Sequence, residues 1–139
     1  MNTINPLLRV LVLWLILILC MVLHFNYHVS KIFYGINVVR PGTNGTIPFM
    51  AQVLKSVYYH IPMIFVVSLL YFKSYWFRLG MFVVTIPYSL SHIAHLREEF
   101  MKPALDMAQV PLLSLTLLFS LMLNKATWDY FKNIRLAHV

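Results

Sequence analysis

Five of the six histidines stand near the ends of apolar stretches: His24 and His28, His60, then His92 and His95. Imidazole titrates near neutral pH and is the commonest side-chain ligand for transition metals. His24 and His28 are four residues apart, while His92, His95 and Glu99 are offset by three and four. On a helix such spacings share a face, with Cβ atoms about 5–6 Å apart, close enough to act on one ion. Asp106 and Gln109 follow where the last apolar stretch opens. Histidine combined with carboxylate suits zinc, copper or iron, and a catalytic or redox centre more than a structural one. A haem held by two histidines needs only one from each of two helices. The same groups can instead pass protons within a membrane.

Composition identifies the elements that must position these groups. Of 139 residues, 60% are hydrophobic and 11% are charged, against about 25% charged in a soluble domain. So little polar surface cannot wrap a water-soluble core of this size. A disordered tail, a coiled coil and a nucleic-acid-binding domain are excluded despite the net charge of +7. The chain reads as a multi-pass protein of an inner or plasma membrane, its lipid bilayer the first partner. About 20 apolar residues cross the hydrocarbon layer, and every backbone polar group there must be satisfied within its own segment. Four helical spans meet that requirement, near residues 6–25, 53–72, 77–96 and 104–123. The fold class is all-α, a single four-helix transmembrane domain over 1–139, with an outer loop at 26–52 and a cytoplasmic tail at 124–139.

Threading these spans up and down brings His24, His28, His60, His92, His95, Glu99 and Asp106 to one membrane level. That seven-residue set is the candidate metal site. Pro62, Pro87 and Pro111 each interrupt a helix nearby. A proline leaves the carbonyl four residues earlier without its usual donor, here Tyr58, Val83 and Met107, and the resulting kink opens a bundle around a cavity. Taken singly, each residue has a plainer role. An interfacial histidine or tyrosine anchors a helix at the headgroups, Lys55 snorkels, and Asp106 complements a helix N-terminus. Co-location on all four helices is what raises the set above those roles.

Orientation rests on Lys and Arg. With the N-terminus inside, Arg9, Lys73, Arg78, Lys125, Lys132 and Arg135 face the cytoplasm, and Lys31, Arg40, Lys55, Arg97 and Lys102 face outward. Six against five favours N-in, C-in by a narrow margin. No small-x-small cleavage site follows the first apolar run, so it reads as a retained helix rather than a signal peptide. Cys20, the one cysteine, falls inside it as packing. In the outer loop Val29, Ile32, Phe33 and Ile36 recur at helical spacing and predict a short amphipathic helix on the membrane surface. Turn residues follow from Arg40, with a glycosylation sequon at Asn44-Gly45-Thr46 that has meaning only in a eukaryotic lumen.

His24-Phe25-Asn26-Tyr27-His28 resembles the His-x-x-x-His box of membrane-bound di-iron desaturases and hydroxylases. The second candidate box, His92-Ile93-Ala94-His95, continues with Leu96, where that family has another histidine. The family also uses more histidines than this chain contains, and its activity is not carried over. Phosphate-binding loops, Cys-x-x-Cys pairs and nucleophile elbows are absent from the sequence.

Three functions follow as expectations. The first is binding of a transition metal ion (Fe, Cu or Zn) or haem, with a redox role available. The second is a non-catalytic subunit of a larger membrane complex, with other membrane subunits or further copies of the chain as partners. The third is binding of a lipid or quinone in the proline-opened pocket. A channel or transporter ranks lower, since four helices without an inverted repeat serve that purpose only as an oligomer.

Overall fold

A computed structural model of the chain describes residues 5–39, 42–102 and 105–136. Among the described residues every regular element is helical, and four helices are long and apolar enough to cross a membrane. The first is α1 (Pro6–Ser30), which continues as a 3-10 turn (Lys31–Tyr34). The second is one continuous rod of α2 (Phe49–Lys55), a π-helical turn (Ser56–His60) and α3 (Ile61–Tyr71). The third is α4 (Tyr75–Phe100) and the fourth α5 (Gln109–Leu136).

The ends of these helices have local chemical causes. Asn5 caps α1 by accepting from the Leu7 N–H, with Pro6 at the first helical position, where its missing donor costs nothing. Gly35 ends the 3-10 turn at φ 71°, a left-handed conformation that side chains with a Cβ resist. Ser74 caps α4 through its hydroxyl and the Phe77 N–H. Asp106 does the same ahead of α5, its Oδ1 accepting from Ala108 and Gln109.

The π-helical turn follows from Pro62. Ile61 N–H reaches back five residues to the Ser56 carbonyl instead of four to Val57. In that register the next donor to Val57 would be residue 62, and proline has none. The Tyr88 hydroxyl on α4 donates to the Val57 carbonyl in its place. An ordinary α-helical register would leave over the carbonyl of Tyr58. The π register moves the vacancy to Val57, one residue earlier.

Packing is uneven around the bundle. α5 lies along both α4 and α1, while the second rod packs mainly against α1. Between the second rod and α4, aromatic rings span the gap: Tyr58–Tyr88, Phe65–Phe77 and Phe72–Phe77, with centroids 5.4–6.2 Å apart. The core gathers Val10, Leu13, Trp14 and Leu17 of α1 with Leu69, Met81, Tyr88, Leu123, Ala126 and Tyr130. The α4–α5 seam repeats every seven residues, as in helices crossing at a shallow left-handed angle. Arg78, Thr85, His92 and Glu99 recur on α4, and Gln109, Thr116, Leu123 and Tyr130 on α5. The polar members of such a seam hydrogen-bond within the bundle, as membrane helices require. Asn124 Nδ2 donates to Ser89 Oγ at 2.9 Å, and the Thr85 and Thr127 hydroxyls meet at 3.4 Å. Arg78 donates to the Tyr130 carbonyl and lies over its ring at 3.9 Å.

The helices outrun the apolar stretches that announce them. Residues 26–30, expected in the outer loop, complete α1, and no separate surface helix forms among the described loop residues. Val29, Ile32 and Phe33 extend a helix already nucleated, which costs less than starting another. Residues 124–136, expected as a tail, are the last turns of α5, where Ala126, Thr127, Tyr130 and Phe131 are buried. At 28 residues α5 is about 42 Å long, more than the hydrocarbon thickness. The expected start of the fourth span at Ala104, Pro103 before it, and Arg40 with Pro41 of the turn-rich stretch lie outside the described residues.

Candidate functional site

His24 and His95 meet where α1 and α4 end on the same side of the bundle. Their Nε2 atoms lie 3.0 Å apart, with ring centroids at 4.8 Å and planes nearly perpendicular. His24 is held from behind by α5: its Nδ1 lies 2.6 Å from Gln109 Oε1, and Gln109 Nε2 donates to the His24 carbonyl at 3.4 Å. An amide oxygen only accepts, so the His24 proton sits on Nδ1 and the Nε2 lone pair points at His95. The outer nitrogen of His95, Nδ1, faces Glu98 Oε2 at 3.6 Å. That distance is too long for a hydrogen bond, so it does not hold the His95 proton away from Nε2. The His95 Nε2–H then donates to the His24 Nε2 lone pair at 3.0 Å, so the two rings share one proton between nitrogens that already face each other.

The remaining expected residues divide into near and far. His28, one turn beyond His24, stands ring-to-ring with it at 4.6 Å in a T-shaped contact. Glu99 is almost wholly buried, one turn past His95. Its Oε2 is bound by Lys102, and its Oε1 has no partner among the described residues. His92, one turn before His95, is buried against the Tyr58 ring, centroids 6.1 Å apart. His60 is exposed, at the end of the π-helical turn in the second rod. Asp106 is committed elsewhere: it caps α5 and pairs with Lys31 Nζ at 2.8 Å. The Lys31 hydrogen bond holds its carboxyl below the usual carboxylate range, with help from the Ala108 and Gln109 N–H groups.

The expected seven-residue cluster therefore contracts. The structure brings His24, His28 and His95 together, puts Glu99 and His92 one helical turn away, and leaves His60 and Asp106 outside. Among the described residues no three His, Cys, Asp or Glu side chains surround one point suitable for a metal ion. Gln109 stands out in the sequence only as a neighbour of Asp106, yet it fixes the protonation of His24. The signal that marks it is the seven-residue repeat of Gln109, Thr116, Leu123 and Tyr130, which places it on the buried face of α5.

Two depressions accompany the site. One of about 390 Å³ is open to solvent and lined by Ala94, Arg97, Glu98, Met101 and Lys102. The other, about 140 Å³, lies between the second rod and α4. Comparison of the chain with protein-family models, curated proteins and solved structures found no match.

Proposed function

We propose that this chain is a multi-pass membrane protein, N-in and C-in, that binds one transition metal ion through His24 Nε2 and His95 Nε2 near the outer face. The observation that carries the reading is the 3.0 Å separation of the two Nε2 atoms, with the opposite nitrogen of His24 held by Gln109 Oε1. Imidazoles bound at about 2.0–2.1 Å place their donor atoms about 2.9 Å apart at a right-angled centre and about 3.4 Å apart at a tetrahedral one. The observed spacing falls in that interval. Gln109 supplies the outer hydrogen bond that metal-bound histidines characteristically make. His28 stands against the His24 ring with centroids 4.6 Å apart, and the remaining coordination positions are left to water or an exogenous ligand. That openness belongs to a reactive or transfer site more than to a structural one. A haem fits less well, since the macrocycle must stand between two axial nitrogens that here touch.

Titration of the detergent-purified chain with Zn(II), Cu(II) and the spectroscopic probe Co(II) tests this. The expected result is one ion per chain, with His24→Ala and His95→Ala each weakening binding at least ~100-fold and His60→Ala leaving it unchanged. Helicity by circular dichroism confirms that the variants fold. Absence of stoichiometric metal in the parent, or His95→Ala binding as tightly as the parent, overturns the assignment and leaves a pair that shares a proton.

A further inference from the structure

Among the described histidines, only His60 is exposed. It is also the middle residue of the 23-residue span Phe49–Tyr71. That places it about 16 Å from either end, inside a hydrocarbon layer about 30 Å thick. Its side chain makes no hydrogen bond or ion pair among the described residues. An ionisable group at that depth is costly against lipid, and such groups face a bundle interior or pair with another polar group. The rod that carries His60 has room for a neighbour. It packs mainly against α1, and of its residues only Pro62 and Leu69 are buried. Val53, Ser56, His60, Met63, Val67 and Leu70 follow one another at spacings of three and four, and all six are exposed. This alternation is that of a left-handed helix pair. Here it contains one small residue, which admits close approach, and one polar residue, which fixes register. Lys55 falls outside the series, so it sets no like charges against each other across such a pair.

We infer that the exposed side of the second rod is an interface with a second copy of the chain, in which the two rods run parallel and His60 meets its counterpart. Symmetry and chemistry select a copy over other partners. Copies inserted in the same orientation are related by a two-fold axis along the membrane normal, so identical residues meet at identical depth. Neutral imidazole carries a donor on one ring nitrogen and an acceptor on the other, so the N–H of one ring donates to the bare nitrogen of its twin. A membrane partner of another kind needs a polar group of its own at this depth, whereas a copy supplies one without further condition. The small Ser56 lets the two backbones approach closely enough for that bond to form. This inference goes beyond the metal reading and does not depend on it, because His60 lies outside the histidine pair.

Förster transfer between donor- and acceptor-labelled full-length chains in phosphatidylcholine vesicles reads this association across a series of protein-to-lipid ratios. The parent is expected to saturate as a dimer. His60→Leu should associate about 3–15-fold more weakly, the range for interhelical hydrogen bonds in membranes. His60→Gln keeps a donor and an acceptor and should stay close to the parent. Position 60 is exposed, so neither change should disturb the fold, and circular dichroism checks this. In a Cys20→Ser background, Met63→Cys should form a disulfide between copies on treatment with diamide. Leu118→Cys, comparably exposed on α5, should not. His24→Ala/His95→Ala should associate as the parent does, which separates this result from any failure of metal binding. A chain that stays monomeric at every ratio overturns the inference. So does a His60→Leu chain that associates as tightly as the parent, or equal cross-linking of Met63→Cys and Leu118→Cys.

Discussion

Gln109→Leu removes no proposed ligand, yet it should weaken metal binding about 10–100-fold, the usual effect of losing a hydrogen bond behind a metal-bound histidine. The cause is local. Gln109 is fully buried, and its Oε1 lies 2.6 Å from His24 Nδ1 as the acceptor that keeps the proton there. Leucine leaves that N–H buried without a partner, at a cost of about 1–3 kcal/mol. The ring can avoid the cost by moving its proton to Nε2, the atom the metal needs. Each tenfold loss in affinity corresponds to about 1.4 kcal/mol, so the two figures coincide. Gln109→Glu keeps an acceptor in place and increases the basicity of His24, so it should bind at least as tightly as the parent. The assay is competition at about pH 7.5, where imidazole is mostly neutral, against a chromophoric chelator, with circular dichroism confirming equal helicity. If Gln109→Leu binds within twofold of the parent while His24→Ala abolishes binding, the reasoning from tautomer to affinity is refuted.

The other predictions concern the bundle. Tyr88→Phe leaves the Val57 carbonyl without its donor and should lower stability by about 0.6–1.7 kcal/mol, the range for hydrogen bonds within membrane bundles; a parent-like denaturation midpoint in sodium dodecyl sulfate refutes this. Thr85→Val/Thr127→Val should cost less than Tyr88→Phe, because each hydroxyl mainly serves its own helix carbonyls and their mutual contact is long, at 3.4 Å; the same titration ranks the two. Asp106 has a folded-state pKa below its unfolded value of about 3.9, so its contribution is complete above that value and is lost as pH falls through the folded one. The parent should therefore exceed Asp106→Asn in thermal midpoint at about pH 6, and that advantage should shrink progressively as pH falls below about 4. A gap that stays unchanged as pH falls through that range refutes the Lys31 pairing as its source. The pair lies at the surface, so its size at neutral pH should not exceed about 1 kcal/mol.

Much of the frame is written locally and is legible in the sequence alone. Runs such as Val10–Leu23 leave helix as the one way to satisfy the backbone in lipid, so the four spans follow from composition and length. The i, i+4 spacing of His24 and His28 is likewise a property of one helix, and the two rings do stand together. Helix ends are less legible, because hydropathy marks where lipid ends and not where hydrogen bonding stops. Gly35, Ser74 and Asp106 set those limits through backbone conformation and capping. The membership of the site is decided only by tertiary structure. Sequence puts His60, His92, His95 and Asp106 at one level, but each helix has a rotation about its own axis that level alone does not specify. Packing of α5 against both α1 and α4 turns Gln109 toward His24 and, across the bundle, sets His95 against the same ring. The π register imposed by Pro62 and answered by Tyr88 from another helix opens the neighbouring cleft. Residues distant in the chain fix these rotations, since a buried polar group is stable only where a neighbouring helix completes its hydrogen bonds.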